Sequence, residues 1–106
     1  LRNLYVYDDN GVVKGIADWQ VMKNKSIQIQ ELCADPSFYG EEIEDALLED
    51  CLSFAADIGV KYVFAWVLEG NSHDRRFYER FHFRLDSQRK LQPVTKAVLC
   101  RYSLPL

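Results

Sequence analysis

From residue 41 to residue 58, apolar side chains return every three or four positions. Ile43, Ala46, Leu47, Cys51, Phe54, Ala55 and Ile58 form one stripe. Gly59 stops the pattern, and an almost unbroken apolar run from Val60 to Leu68 follows. This pairing constrains the fold more than any other feature of the chain. An amphipathic helix must lay its stripe on an apolar surface. A run too short for a second long helix reads as a strand buried on both faces, hence central in a sheet. A helix immediately before such a strand is the crossover that a parallel neighbour requires.

The rest of the sheet is legible around that unit. Leu4 to Tyr7 and Val12 to Val21 flank Asp8-Asp9-Asn10-Gly11, and Asn-Gly supplies the two positive-φ positions of a hairpin turn. Lys23-Asn24-Lys25-Ser26 is the next turn. Ile27 to Leu32 then alternates apolar and polar residues as a third strand, which Pro36 ends. Asn71 or Ser72 caps a helix running to about Phe81, and Lys96 to Leu104 makes a last strand with Val98, Cys100, Tyr102 and Leu104 on one face. The expected order is β-β-β-α-β-α-β, an α+β mixed sheet. A chain of 106 residues, 48% hydrophobic, holds one domain, residues 1–106, with enough apolar material for a core.

Thirteen basic and sixteen acidic residues give a net charge of −3. That argues against a nucleic-acid or anionic-membrane partner, either of which needs a basic patch. No apolar run reaches the roughly 18–20 residues of a membrane span. Cys33, Cys51 and Cys100 are scattered, odd in number and without a C-x-x-C pair. They are expected to be reduced thiols of a cytoplasmic protein, with no metal site.

The segment Val67-Leu68-Glu69-Gly70-Asn71-Ser72-His73-Asp74-Arg75-Arg76-Phe77-Tyr78-Glu79-Arg80-Phe81-His82-Phe83 resembles the last strand–helix unit of the GNAT family of N-acetyltransferases, V-x-x-x-N-x-x-A-x-x-F-Y-x-x-x-G-F. The resemblance implies an acetyltransferase-type sheet without the family's first strand and first two helices, so residues 1–106 read as a partial domain. It implies acyl transfer from acetyl-CoA to a primary amine, carried by a small molecule or a peptide, without an acyl-enzyme. Apolar surface left by the missing helices would favour a homo-oligomer.

In the family's register, Ile29-Gln30-Glu31-Leu32-Cys33-Ala34-Asp35-Pro36 corresponds to I-x-E-L-x-V-x-P. The resemblance makes Glu31 the base that takes the amine's proton. It gives the backbone N–H groups of Leu32, Cys33 and Ala34 to the pantetheine arm and thioester carbonyl. Tyr78 becomes the acid that protonates the departing thiolate; a phenol of pKa about 10 can donate to a thiolate of about 8.5. Asn71 becomes a contact to the cofactor arm. His73 is read as inert, and Arg75 and Arg76 as a solvated face.

The phosphate loop, Q/R-x-x-G-x-G/A in the family, falls on Tyr39, Gly40, Glu41, Glu42, Ile43 and Glu44. Glycines in such a loop let phosphate approach a helix N-terminus, whose free N–H groups and positive dipole end attract it. Here Tyr39 replaces Gln or Arg, Glu42 and Glu44 replace two small residues, and Glu41 adds a third carboxylate. Acids in a first helical turn favour the helix but compete with phosphates, at roughly 1 kcal/mol per contact at 4 Å in water and more when desolvated. The alternative is therefore a non-catalytic binding or regulatory module of the same fold, weak for CoA, whose acidic helix start meets a basic partner.

Overall fold

In the computed structural model, which describes residues 2–106, six strands form one sheet and two helices cover one of its faces. The strands are β1 (Arg2–Asp9), β2 (Val12–Met22), β3 (Ser26–Ala34), β4 (Tyr62–Leu68), β5 (Arg84–Leu91) and β6 (Val98–Pro105). The helices are α1 (Ile43–Ile58) and α2 (Ser72–Arg80). Spatial order is β1-β2-β3-β4-β6-β5. β3 and β4 run parallel, joined through α1, and every other neighbouring pair is antiparallel.

The turns follow their residues. Asn10 and Gly11 both have positive φ, 52° and 84°, and the Gly11 N–H donates to the Asp8 carboxylate at 2.8 Å. Gly59 closes α1 in the left-handed region at φ 73°, with its N–H on the carbonyls of Ala55 and Ala56. These are the conformations for which Asn-Gly and a C-terminal Gly are selected.

The core lies on one face. Strand register aligns Trp19 with Ile29, Ala17 with Leu32, Ile29 with Ala65, Ala65 with Tyr102, and Val67 with Cys100. This inward row packs against Ile43, Leu47, Leu48, Cys51 and Ala55 of α1 and against Phe77 and Tyr78 of α2. At the start of α1 the approach is close. A Cβ built on Gly15 would stand 2.8 Å from both the Cys33 carbonyl oxygen and Ile43 Cγ2, so glycine is required there.

No helix lies against the opposite face among the described residues. Phe64 and Trp66 of β4 point that way and are capped by cations instead. Arg101 sits 5.1 Å from the Phe64 ring centroid and Lys90 4.4 Å from that of Trp66. The strand is thus shielded on both sides as its composition predicts, but on one side by guanidinium and ammonium groups.

The α+β class is as expected, with one strand more than the sequence suggests. β5 reads Arg-Leu-Asp-Ser-Gln-Arg-Lys-Leu and is exposed almost throughout, so it has no apolar alternation to detect. It is an edge strand, held by its ladder to β6 and by Asp86, which accepts from Arg101 Nε at 2.6 Å. No helix among the described residues is long and apolar enough to cross a membrane.

Candidate active site

β3 and β4 are partners from Ser26↔Tyr62 to Ile29↔Ala65 and no farther. A bulge follows at Gln30, where the β2–β3 register shifts between Asp18 and Trp19. Beyond it β3 stays with β2 while the end of β4 stays with β6. The two central strands therefore part, and the edge of β3 over Leu32, Cys33 and Ala34 faces the gap without a strand partner. The N–H groups of Leu32 and Ala34 point into the gap, whereas that of Cys33 points to β2, as does the Asp35 N–H that donates to the Lys14 carbonyl, so the Cys33 donor expected from sequence is already used. Free main-chain donors in a wedge of this kind can hold an extended ligand.

The N-terminus of α1 stands at the mouth of the wedge. Gly40 has φ 96° and Glu42 φ 61°, ψ 27°, and Glu42 occupies the N-cap with no side-chain capping bond. The helix begins only at Ile43, so Glu41 and Glu42 precede its first turn, contrary to the sequence expectation, and Glu44 and Asp45 lie within it. Glu42 takes the left-handed conformation that a loop glycine would take. A pocket of about 320 Å³ opens here between the two helices, bordered by Tyr39, Gly40, Glu42, Glu44, His73 and Arg80, among others.

Most carboxylates of this loop already have partners. Glu41 accepts from Lys14 Nζ at 2.8 Å, and with Asp9 it pushes the Lys14 ammonium up to about 12. Asp45 receives both terminal nitrogens of Arg80 at 3.0 Å. Glu44, 9% exposed, meets His73 Nε2 at 2.8 Å, and Tyr39 stacks on the His73 ring at 4.4 Å and 9°. His73, read as inert from sequence, is thus the hub joining the loop, α1 and α2. Its placement one residue inside a helix start carries no signal in sequence, because the contacts come from elements 29 and 34 positions upstream.

Tyr78 is 5% exposed, its ring wedged against Phe77, Phe83 and Tyr102. Its oxygen has no hydrogen-bond partner among the described residues. Burial, aided by the negative charge of Asp74, Glu44 and Glu31, pushes the phenol well above its ordinary range and keeps it protonated.

Glu31 and Cys33 share one side of β3. Burial first, and then the Glu31 charge, pushes the Cys33 thiol up to about 11, which leaves it a poor nucleophile at neutral pH. Asn71 caps α2. Its Oδ1 accepts from the Asp74 N–H and its Nδ2 donates to Asp74 Oδ2, both at 3.0 Å, so the whole amide is engaged. Arg75 is not on a solvated face. It donates to the Tyr102 hydroxyl at 3.1 Å and the Glu69 carbonyl at 2.8 Å, and Tyr102 in turn donates to Glu79.

Residues 2–83 match the sequence pattern of the Acetyltransferase (GNAT) family. Among solved structures, the chain superposes on a streptothricin acetyltransferase of Bacillus anthracis described as putative and in complex with acetyl coenzyme A, with a TM-score of 0.88 and 13% identity, over 99% of this chain and 62% of that one. It also superposes on the ribosomal-protein-S18-alanine N-acetyltransferase of Escherichia coli, with a TM-score of 0.84 and 21% identity, over 98% of this chain and 68% of that one. An IAA acetyltransferase of Bacillus cereus gives a TM-score of 0.83 at 16% identity, over 97% and 77%. No curated protein sequence matches this chain.

Proposed function

This chain belongs to the GNAT acetyltransferase family, and on that premise we propose that it moves an acetyl group from acetyl-CoA directly to a primary amine. The observation that carries the proposal is the parting of β3 from β4 after Ile29 and Ala65, beside a helix N-terminus with no side-chain cap. The wedge suits the extended arm of the substrate, with the main-chain N–H groups of Leu32 and Ala34 as donors to the arm and the thioester carbonyl. The uncapped start of α1, with Gly40 and Ile43 beside it, suits the phosphates. The fit is partial, because Glu44 and Tyr39 lean across the same space to His73.

In this reading Glu31 accepts a proton from the amine, directly or through water. The amine nitrogen forms its bond to the acetyl carbon as the carbon–sulfur bond breaks. Tyr78, which burial keeps protonated at neutral pH, gives its proton to the departing thiolate. Asn71 serves by position, since its amide is used in fixing the start of α2 beside the wedge.

The test is release of free thiol from acetyl-CoA in the presence of a panel of small amines and amine-terminated peptides. Turnover that falls sharply in Tyr78→Phe supports the reading. Absence of turnover with every acceptor, in a protein that acetyl-CoA does stabilise, rejects it. The second reading, a non-catalytic module of the same fold, rests on the Tyr39–His73–Glu44 bridge across the groove. Thermal shift separates the two. A ligand at 100 times its dissociation constant adds about 2.7 kcal/mol of stability, and a closed groove adds almost none.

A further inference from the structure

We propose that Glu44, His73 and Asp74 form a binding site for a divalent first-row transition-metal ion at the mouth of the wedge. One carboxylate oxygen of Glu44, a ring nitrogen of His73 and one carboxylate oxygen of Asp74 lie within 4.8 Å of one another. They come from the first turns of α1 and α2, so the fold, not a local sequence repeat, brings them together. Ligands of a tetrahedral ion at about 2.1 Å stand roughly 3.4 Å apart. The Glu44–His73 separation is 2.8 Å. A small opening of that pair and a small closing of Asp74 complete the arrangement.

Each ligand is held by a neighbour. The His73 ring is pinned flat against Tyr39. Asp74 is tethered through one oxygen to Asn71 Nδ2, which leaves the other free. Glu44 is nearly enclosed, at 11% side-chain exposure. Such outer contacts are what orient a metal's ligands. The balance of charge points the same way. A nearly enclosed Glu44 and a half-buried Asp74 stand near one imidazole, Glu31 adds its field at Asp74, and the nearby Arg80 is already spent on Asp45. An imidazole with two carboxylates selects zinc, cobalt or manganese over magnesium and calcium, which prefer oxygen alone. Glu44 and His73 also border the pocket that holds Glu42. The site stands independently of acetyl transfer, because it is assayed with no acetyl-CoA present.

The experiment is titration of the intact protein with cobalt(II), followed by calorimetry and by visible absorption. The expected result is one ion per chain with a d–d spectrum of nitrogen and oxygen ligands. Affinity should fall at least tenfold in both His73→Ala and Asp74→Asn. His73 is 42% exposed, so its loss leaves the fold intact by circular dichroism, and Asp74→Asn keeps the shape of the capping contact. Failure to bind, wild-type affinity in either variant, or an intense thiolate charge-transfer band that places the ion on Cys33 overturns the proposal.

Discussion

Glu42 offers a test that separates the backbone found here from the one its sequence suggests. At φ 61° and ψ 27° it is an N-cap in the left-handed region, and its side chain makes no capping bond. A residue with a Cβ in that region costs about 1–2 kcal/mol relative to glycine. Glycine gives back about 0.4–1 kcal/mol through the greater freedom of the unfolded chain. Glu42→Gly and Glu42→Ala both remove the same charge, so any helix-dipole contribution cancels between them. The glycine variant should therefore be the more stable, by about 0.5–1 kcal/mol. Had Glu42 stood inside the first turn, the order would reverse, because glycine is about 1 kcal/mol worse than alanine within a helix. Urea denaturation of the two variants at matched ionic strength reads the difference as a shift in midpoint at constant slope. An alanine variant equal to or more stable than the glycine variant refutes the left-handed cap.

Three further outcomes are expected. Tyr78→Phe keeps the ring packing and removes only the proton donor, so turnover should fall more than affinity for acetyl-CoA; equal turnover under conditions where chemistry limits the rate removes Tyr78 from the mechanism. Replacing Tyr39 by Gln and Glu42 and Glu44 by Gly should raise acetyl-CoA affinity at least tenfold, about 1.4 kcal/mol, while lowering the stability of α1; calorimetry at matched salt showing no gain would mean these side chains already clear the phosphates. Burial lifts the thiols of Cys33 and Cys51 above their ordinary range, to about 11 and about 12. A raised pKa means that the unfolded thiol ionises first, so stability should hold below about pH 9 and decline from there toward pH 11 to 12. A thermal midpoint flat across that range would contradict the burial.

The elements that sequence reveals are those whose signal is local. The stripe of α1, its stop at Gly59 and the apolar run of β4 record burial directly, so the parallel crossover and the one-faced core follow from them. Asn10-Gly11 records its turn in the same way. β5 is invisible because an exposed edge strand is held by its partner's backbone and by Asp86–Arg101, neither of which imposes a pattern on its own residues. The parting of β3 from β4 is also silent in composition. It comes from the Gln30 bulge, and backbone geometry of that kind places no requirement on the side chain that occupies it.

The acidic loop is where sequence and space diverge most, and the reason is electrostatic. Counted along the chain, Glu41, Glu42 and Glu44 are three like charges set against a phosphate site. In the fold, Glu41 belongs to Lys14 on β2, Glu44 to His73 on α2, and the neighbouring Asp45 to Arg80. The partners come from residues 27, 29 and 35 positions away in the chain, beyond the reach of any local pattern. Of the three ligands proposed for the metal site, His73 is the residue on which Tyr39, Glu44 and Asp74 converge. Whether the pocket accepts an anion therefore turns on what binds His73. With the imidazole bound only to Glu44, the mouth keeps the surplus negative charge of Glu31, Glu42 and Asp74. With a divalent ion in place, the same side chains become its cradle, and the acidic loop ceases to oppose phosphate.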